Sequence, residues 1–134
     1  MIVVDTNLLV YLLLPTPHAT VAEAVWTKDD AWVAPELVFS EFRNVLSGAA
    51  RRKDISWNDA RAILDHALEL IIVPECRIDG PGILSLTETS KCSAYDCEFV
   101  WLSRTLNVPL VTANKKVQKD FPGTALSPER FLEK

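Results

Sequence analysis

The chain has 134 residues, of which 49% are hydrophobic and 24% are charged, a balance typical of one compact globular domain covering residues 1–134. No stretch stays apolar for long enough to span a membrane, and the N-terminus lacks the basic start of a signal peptide, so we expect a cytoplasmic protein without membrane association. The net charge of −4, from 14 basic and 18 acidic residues, argues against broad, nonspecific adhesion to nucleic acid.

Short apolar runs alternate with segments of helical periodicity along the whole chain. Strands are predicted at residues 2–4, 31–34, 71–73, 108–112 and 124–126. Helices are predicted at residues 6–14, 18–28, 35–52, 56–70, 79–91, 93–106 and 115–120, with a tail helix that begins at Ser127. Because strands that alternate with helices form parallel sheets covered on both faces, the order predicts a three-layer α/β/α sandwich with a mostly parallel central sheet.

The cysteines and tryptophans are predicted to have structural roles. Cys76, Cys92 and Cys97 lack the paired short spacings of a zinc site, so we expect buried thiols. The four tryptophans are expected in the core or at a dimer contact rather than as platforms for stacked RNA bases.

Asp5 follows the apolar run at residues 2–4 directly, which places its carboxylate at the carboxyl end of a predicted parallel strand. Ligands of open parallel sheets bind beyond these strand ends. For Asp5 alone, an N-cap of the next helix is an equally good interpretation, because Asp favours that position. Two further acids in apolar helix patterns, Glu41 and Asp96, favour a functional role.

Glu41 lies at the edge of the apolar stripe of its predicted helix. An unpaired carboxylate aimed at a core is costly, so Glu41 should meet a cation, either a metal ion or a side chain such as that of Arg104. Asp96 fits a helix-capping pattern that begins at Ser93, which is a purely structural alternative. Its helix, however, leads into the strand at residues 108–112, whose carboxyl end should neighbour that of the first strand.

Three carboxylates at one sheet edge repel each other unless a divalent cation neutralises them. Hard oxygen ligands select Mg²⁺ or Mn²⁺ over softer metals. Such ions activate water and stabilise a leaving oxygen, which predicts hydrolysis of a nucleic-acid backbone.

The same residues carry a family resemblance across nearly the whole chain. Four motifs resemble a PIN domain in order and spacing, and in particular the small toxin ribonucleases of the VapC type: Val3-Val4-Asp5-Thr6-Asn7, Ser40-Glu41-Phe42-Arg43-Asn44-Val45-Leu46, Tyr95-Asp96 and Pro109-Leu110-Val111-Thr112-Ala113-Asn114. The resemblance implies a Mg²⁺- or Mn²⁺-dependent endoribonuclease, usually a homodimer. It also implies a cognate antitoxin that inhibits the enzyme by placing its C-terminal segment in the acidic groove.

By this resemblance, Asp5, Glu41 and Asp96 are the metal ligands. Thr6 and Thr112 match hydroxyl positions that orient the acids or the attacking water from just outside the ligand set.

The chain departs from the family pattern at Asn114, where many members have a fourth acid. Its amide oxygen is still able to ligate a cation or hold a water, so we expect Asn114 to assist catalysis, with one ion held more tightly than a second. Arg43, Lys115 and Lys116 are candidate RNA contacts, although basic residues at helix ends are more often simply solvated. Glu98 is expected to face another side of its helix than the predicted metal ligand two residues before it.

Two other functions stay open. A PIN-like module with weak chemistry that binds RNA or a partner protein is favoured by Asn114 and by the acidic net charge. An aspartyl phosphotransfer enzyme with Asp5 as nucleophile fits less well. Asn7 stands where such enzymes have a second acid, and no glycine-rich loop follows the first strand.

Overall fold

The structure, a computed structural model, describes residues 1–134 as four strands and eight helices. The strands are β1 (Ile2–Val4), β2 (Trp32–Val33), β3 (Leu110–Val111) and β4 (Ala125–Leu126). The helices are α1 (Thr6–Leu13), α2 (Ala19–Lys28), α3 (Leu37–Arg51), α4 (Trp57–Leu70), α5 (Gly80–Glu88), α6 (Ala94–Leu106), α7 (Lys115–Asp120) and α8 (Pro128–Leu132). None of them combines the length and the apolar character that a bilayer-spanning helix requires.

The four strands form one sheet in the order β2-β1-β3-β4, and every neighbouring pair is parallel. The predicted α/β architecture with a parallel central sheet is therefore confirmed. In the central pair, Val3 is opposite Leu110 and Val4 is opposite Val111. The residues that follow β1 and β3 consequently leave the sheet side by side, at the edge where ligands of such sheets bind.

The strand predicted at residues 71–73 is wrong. Ile72 alone joins the sheet: its N–H donates to the Trp32 carbonyl at 2.9 Å, and its carbonyl accepts from the Ala34 N–H at 3.1 Å. Ile72 is 46% exposed, and the nearby Pro74 has no N–H with which to extend the ladder. The apolar run therefore ends as a single bridge at the edge of the sheet. The other predicted elements are present, with ends shifted by at most three residues.

The core is formed by apolar side chains between the sheet and the helices that cover it, and Trp32, Phe42 and Phe99 are its largest fully buried members. The indole N–H of Trp32 donates to the Asp29 carbonyl at 2.9 Å, so its polar atom is satisfied. Trp57, on α4, is 48% exposed and does not belong to this core. All three cysteines are free thiols, two of them buried and Cys76 half-buried.

Helix α6 ends at Asn107, which adopts a left-handed backbone conformation with φ 53° and ψ 46°. This conformation crowds the Cβ of most residues, and glycine and asparagine are the types that tolerate it at helix ends. The turn allows Val108 to donate to the Ser103 carbonyl at 3.1 Å, which directs the chain into β3. Asn107 thus determines how α6 is joined to a central strand.

We expect Asn107→Val to lower the free energy of unfolding by about 1–2 kcal/mol, because a β-branched residue is strained at positive φ. Asn107→Gly should change it by less than about 0.5 kcal/mol, because glycine adopts this conformation without strain. Urea denaturation of both variants measures the difference. Equal losses in the two variants would show that side-chain contacts, and not the backbone conformation, matter at this position.

Candidate active site

Asp5 lies where the two central strands leave the sheet, and its two carboxylate oxygens have different partners. Oδ1 accepts the Thr6 N–H at 2.8 Å, and Oδ2 accepts the Thr112 hydroxyl at 2.7 Å. The first bond caps α1, and the second connects the turn after β1 to the turn after β3. Asp5 is only 7% exposed. The capping role and a role in a site are therefore compatible for this residue.

Asn7, which was not predicted as a site residue, strengthens the same connection. Its Nδ2 donates to the Thr112 hydroxyl oxygen at 3.3 Å, and its Oδ1 accepts the Ala113 N–H at 3.0 Å. The hydroxyl oxygen of Thr112 also accepts the Asn114 N–H at 3.0 Å. The only sequence signal for this role was the position of Asn7, two residues after Asp5, on the first turn of a helix that starts at the sheet edge.

Glu41 reaches the same region from α3. Its Oε1 accepts the Thr6 hydroxyl at 2.6 Å, while its other carboxylate oxygen has no hydrogen-bond partner in the protein. The alternative that Arg104 neutralises Glu41 is wrong. Arg104 donates to the Thr124 hydroxyl at 3.1 Å, and its guanidinium lies 5.4 Å from the centre of the Phe121 ring. Thr6 is therefore the only protein partner of the Glu41 carboxylate.

Asp96, near the start of α6, completes the group. Its backbone N–H donates to the Ser93 hydroxyl at 3.0 Å, but its carboxylate makes no hydrogen bond and no ion pair within the protein. Only half of the predicted capping pattern forms. The Asp96 carboxylate is consequently free to interact with a ligand.

Asp5, Glu41 and Asp96 line one cavity of about 380 Å³. No lysine, arginine or histidine lines it, and its remaining walls are polar or apolar neutral side chains: Thr6, Asn7, Val10, Tyr11, Asn44, Val45 and Asn114. Tyr11 and Asn44 were not predicted here, although Asn44 lies three residues after Glu41, on the same face of α3. Three carboxylates thus share a cavity that contains no positive charge.

The electrostatics of this cavity are unfavourable for ionised acids. Burial raises the pKa of Asp5 from 3.8 to about 6, against the lowering effect of its hydrogen bonds from Thr112 and Thr6. The charges of Asp96 and Glu41 contribute smaller parts of the same rise. A cation that entered the cavity would relieve this strain.

Glu98 does not line the cavity, which agrees with the expectation that it faces another side of α6. It is nevertheless close enough to Glu41 to be influenced by its charge. Burial first, and then the charge of Glu41, raise the pKa of Glu98. A fourth acid therefore adds to the negative potential around the site.

Asn114 lines the cavity, but its amide oxygen is already used. Oδ1 accepts the backbone N–H groups of Lys116 at 3.0 Å and Val117 at 3.4 Å, which caps α7. The atom left without a protein partner is the amide nitrogen Nδ2, a donor that does not ligate cations. In this conformation Asn114 offers no free oxygen to a metal ion or to a water that donates a proton.

The candidate RNA contacts do not line the cavity. Lys115 and Lys116 are exposed at the start of α7, next to Asn114. Arg43 is exposed on α3, where its guanidinium donates to the Ser40 hydroxyl at 3.1 Å. A separate cavity of about 580 Å³ lies at the opposite end of the sheet, and none of the predicted site residues lines it.

The oxygen atoms that line the acidic cavity suit a hard cation that keeps several of its own water ligands. No group of three or more His, Cys, Asp or Glu side chains is close enough together to hold an ion. Mg²⁺, however, is commonly held by one or two carboxylates and several waters. The unpartnered oxygens of Glu41 and Asp96 provide such ligands. Cys92 does not line this cavity, and burial and Asp120 raise the pKa of its thiol to about 11.

The sequence matches the PIN domain family over residues 2–122, nearly the whole chain, and the protein belongs to this family. PIN domains are generally nucleases, and family membership therefore indicates a hydrolase that acts on nucleic acid, with RNA binding as the expected interaction. The structure is also similar to the crystal structure of PAE2754 from Pyrobaculum aerophilum, with a TM-score of 0.78 and 22% sequence identity over 98% of this chain and 93% of that chain. At this identity the likeness concerns the fold alone. Comparison with curated proteins gives no match.

In the presence of a chelator, we expect the Asp5 carboxyl to make stability depend on pH. Below pH 4 the group is protonated in both states, but between pH 4 and 6 the unfolded chain releases its proton while the folded protein keeps it. Stability should therefore fall as pH rises, by at most about 3 kcal/mol for a shift of this size. Asp5→Asn lacks this penalty, so its stability relative to wild type should rise over the same range.

Urea denaturation at pH 4 and pH 7 measures the change, and Asp65→Asn, an exposed acid on α4, is the matched control. If the free energies of unfolding of wild type and Asp5→Asn differed by the same amount at both pH values, burial would not destabilise the ionised form of Asp5, and the account would be contradicted.

Proposed function

We propose that this protein is a Mg²⁺- or Mn²⁺-dependent endoribonuclease, in which residues 1–134 act as one PIN-like domain. The observation that carries the proposal is the acidic cavity, where Asp5, Glu41 and Asp96 share a space without any positively charged side chain. The cavity lies at the carboxyl ends of β1 and β3, in a protein whose family consists largely of nucleases. A site of this charge and position suits the hydrolysis of a phosphodiester bond.

The three acids differ in how firmly the protein holds them. The Thr112 hydroxyl and the Thr6 N–H hold Asp5 in one orientation, and the Thr6 hydroxyl holds Glu41 through one oxygen only. The unpartnered oxygens of Glu41 and Asp96 are the ones that remain to bind the ion. When bound, Mg²⁺ or Mn²⁺ neutralises the carboxylates, activates water and stabilises the charge on the leaving oxygen.

The preference for RNA and the role as the toxin of a VapC-type toxin–antitoxin pair rest on the order of the four PIN-like motifs. A cognate antitoxin that occupies the acidic groove would inhibit such an enzyme, and a homodimer is its expected state. Arg43, Lys115 and Lys116, all of them exposed, are the proposed contacts to the phosphates of a bound strand.

A second candidate function is that of a catalytically weak module that binds RNA or a partner protein. It is favoured by Asn114, whose only metal-ligating atom caps α7. It is also favoured by the absence of three acidic side chains close enough to hold an ion together. Cleavage activity separates the two functions.

We expect the purified protein to cut a pool of structured RNA in Mn²⁺ or Mg²⁺ and to be inactive in a chelator. Asp5→Asn and Asp96→Asn should each lower the cleavage rate by at least about 100-fold, because each removes charge on which the ion depends. Asp65→Asn, which removes an equal charge from an exposed site on α4, should cut like wild type. Equal activity of all four proteins would point to a contaminating nuclease, and a folded but inactive wild type would favour the binding module.

A further inference from the structure

A second cavity adjoins the acidic one and shares a wall with it. This cavity, of about 250 Å³, is lined by Tyr11, His18, Lys115, Gln118 and Glu129, among others. Tyr11 lines both cavities, and Lys115 follows Asn114, which lines the acidic cavity. An RNA strand that crosses the acidic cavity therefore passes a neighbouring cavity that is available to one of its bases.

The shared wall is aromatic. The rings of Tyr11 and His18 have centroids 4.4 Å apart and planes that differ by 32°. Tyr11 is half-buried and His18 is exposed, and neither side chain makes a hydrogen bond within the protein. Flat aromatic surfaces beside a nucleic-acid path are favourable for base stacking, which tolerates any base because every base has a π-face.

The rim of the cavity presents hydrogen-bond acceptors and one cation. Gln118 donates its Nε2 to the Thr112 carbonyl at 2.7 Å, which fixes the side chain and leaves its amide oxygen without a protein partner. The Glu129 carboxylate and the Lys115 ammonium group also have no ion-pair partner in the protein. Two unpartnered acceptors match the exocyclic amino groups of adenine and cytosine, whereas uracil presents carbonyl oxygens at the equivalent positions.

We propose that this cavity, the Tyr11–His18 pocket, binds one unpaired nucleobase of the RNA strand whose phosphodiester lies in the acidic cavity. The pocket prefers a base with an exocyclic amino group over uracil. The base stacks on Tyr11 and His18, its amino group faces Gln118 and Glu129, and Lys115 contacts the adjoining phosphate. The inference rests on the proposed function and extends it by assigning a place and a preference to one base of the strand, which a base within a duplex does not reach.

Binding is measured by fluorescence anisotropy with labelled six-nucleotide strands of A, C or U and with a blunt RNA duplex. The full chain carries Asp96→Asn, so that the RNA stays intact. Tyr11→Leu should weaken the binding of the A and C strands by about 5- to 50-fold, whereas Tyr11→Phe, which keeps an aromatic ring, should leave it nearly unchanged. His18→Ala should weaken the same strands, and His66→Ala, at the only other histidine, should not.

A separate variant tests the preference for a base with an exocyclic amino group. Glu129→Gln replaces a pure acceptor with a side chain that also donates, so the ratio of affinities for the C and U strands should move towards one. A U strand that binds as tightly as the C strand to the unaltered pocket would overturn the preference.

Unchanged binding of the A and C strands in Tyr11→Leu and His18→Ala would overturn the pocket itself, as would an equal loss of duplex binding. Failure of the pocket proposal is distinguishable from failure of the nuclease proposal. If wild type cleaves RNA and the Tyr11 and His18 variants bind it unchanged, the pocket proposal is overturned and the nuclease proposal stands. If wild type is inactive but the Tyr11 and His18 variants bind the A and C strands more weakly, the nuclease proposal is overturned and the pocket for single-stranded RNA stands.

Discussion

The hydrogen bond from the Thr112 hydroxyl to Asp5 Oδ2 is the contact on which the site depends. At 2.7 Å it joins the turn after β1 to the turn after β3, and Asn7 reinforces the same junction from α1. Because the two strands are adjacent and parallel, their ends meet without any long loop. Asp5 is held within the protein by this junction, and Glu41 and Asp96 approach it from two different helices.

The same arrangement makes the site electrostatically unfavourable in the absence of a cation. Burial and the two neighbouring acids raise the pKa of Asp5 to about 6, and no basic side chain enters the cavity to offset them. A fold selected for stability alone would place a cation or an apolar residue there. In the proposed function, this unfavourable charge is what draws a divalent cation, and through it a phosphodiester, to the cavity.

Much of this site followed from the sequence, since Asp5 ends an apolar strand and Glu41 and Asp96 interrupt apolar helix stripes. What the sequence did not reveal depends on contacts between distant residues. The run at residues 71–73 has a strand-like composition, but Pro74 and an exposed edge position limit it to one bridge. The direction of the Asn114 amide depends on the start of α7. Tyr11 became a site residue only because α1 begins at the sheet edge.

Calorimetric titration of the purified protein with Mn²⁺ tests the central claim most directly, because it needs neither RNA nor turnover. We predict saturable binding of about one ion per chain, since Asn114 has no free oxygen with which to support a second. Binding should be lost in Asp5→Asn and unchanged in Asp65→Asn. Absence of saturable binding, or equal binding by wild type and Asp5→Asn, would contradict the account of the three carboxylates as a metal site.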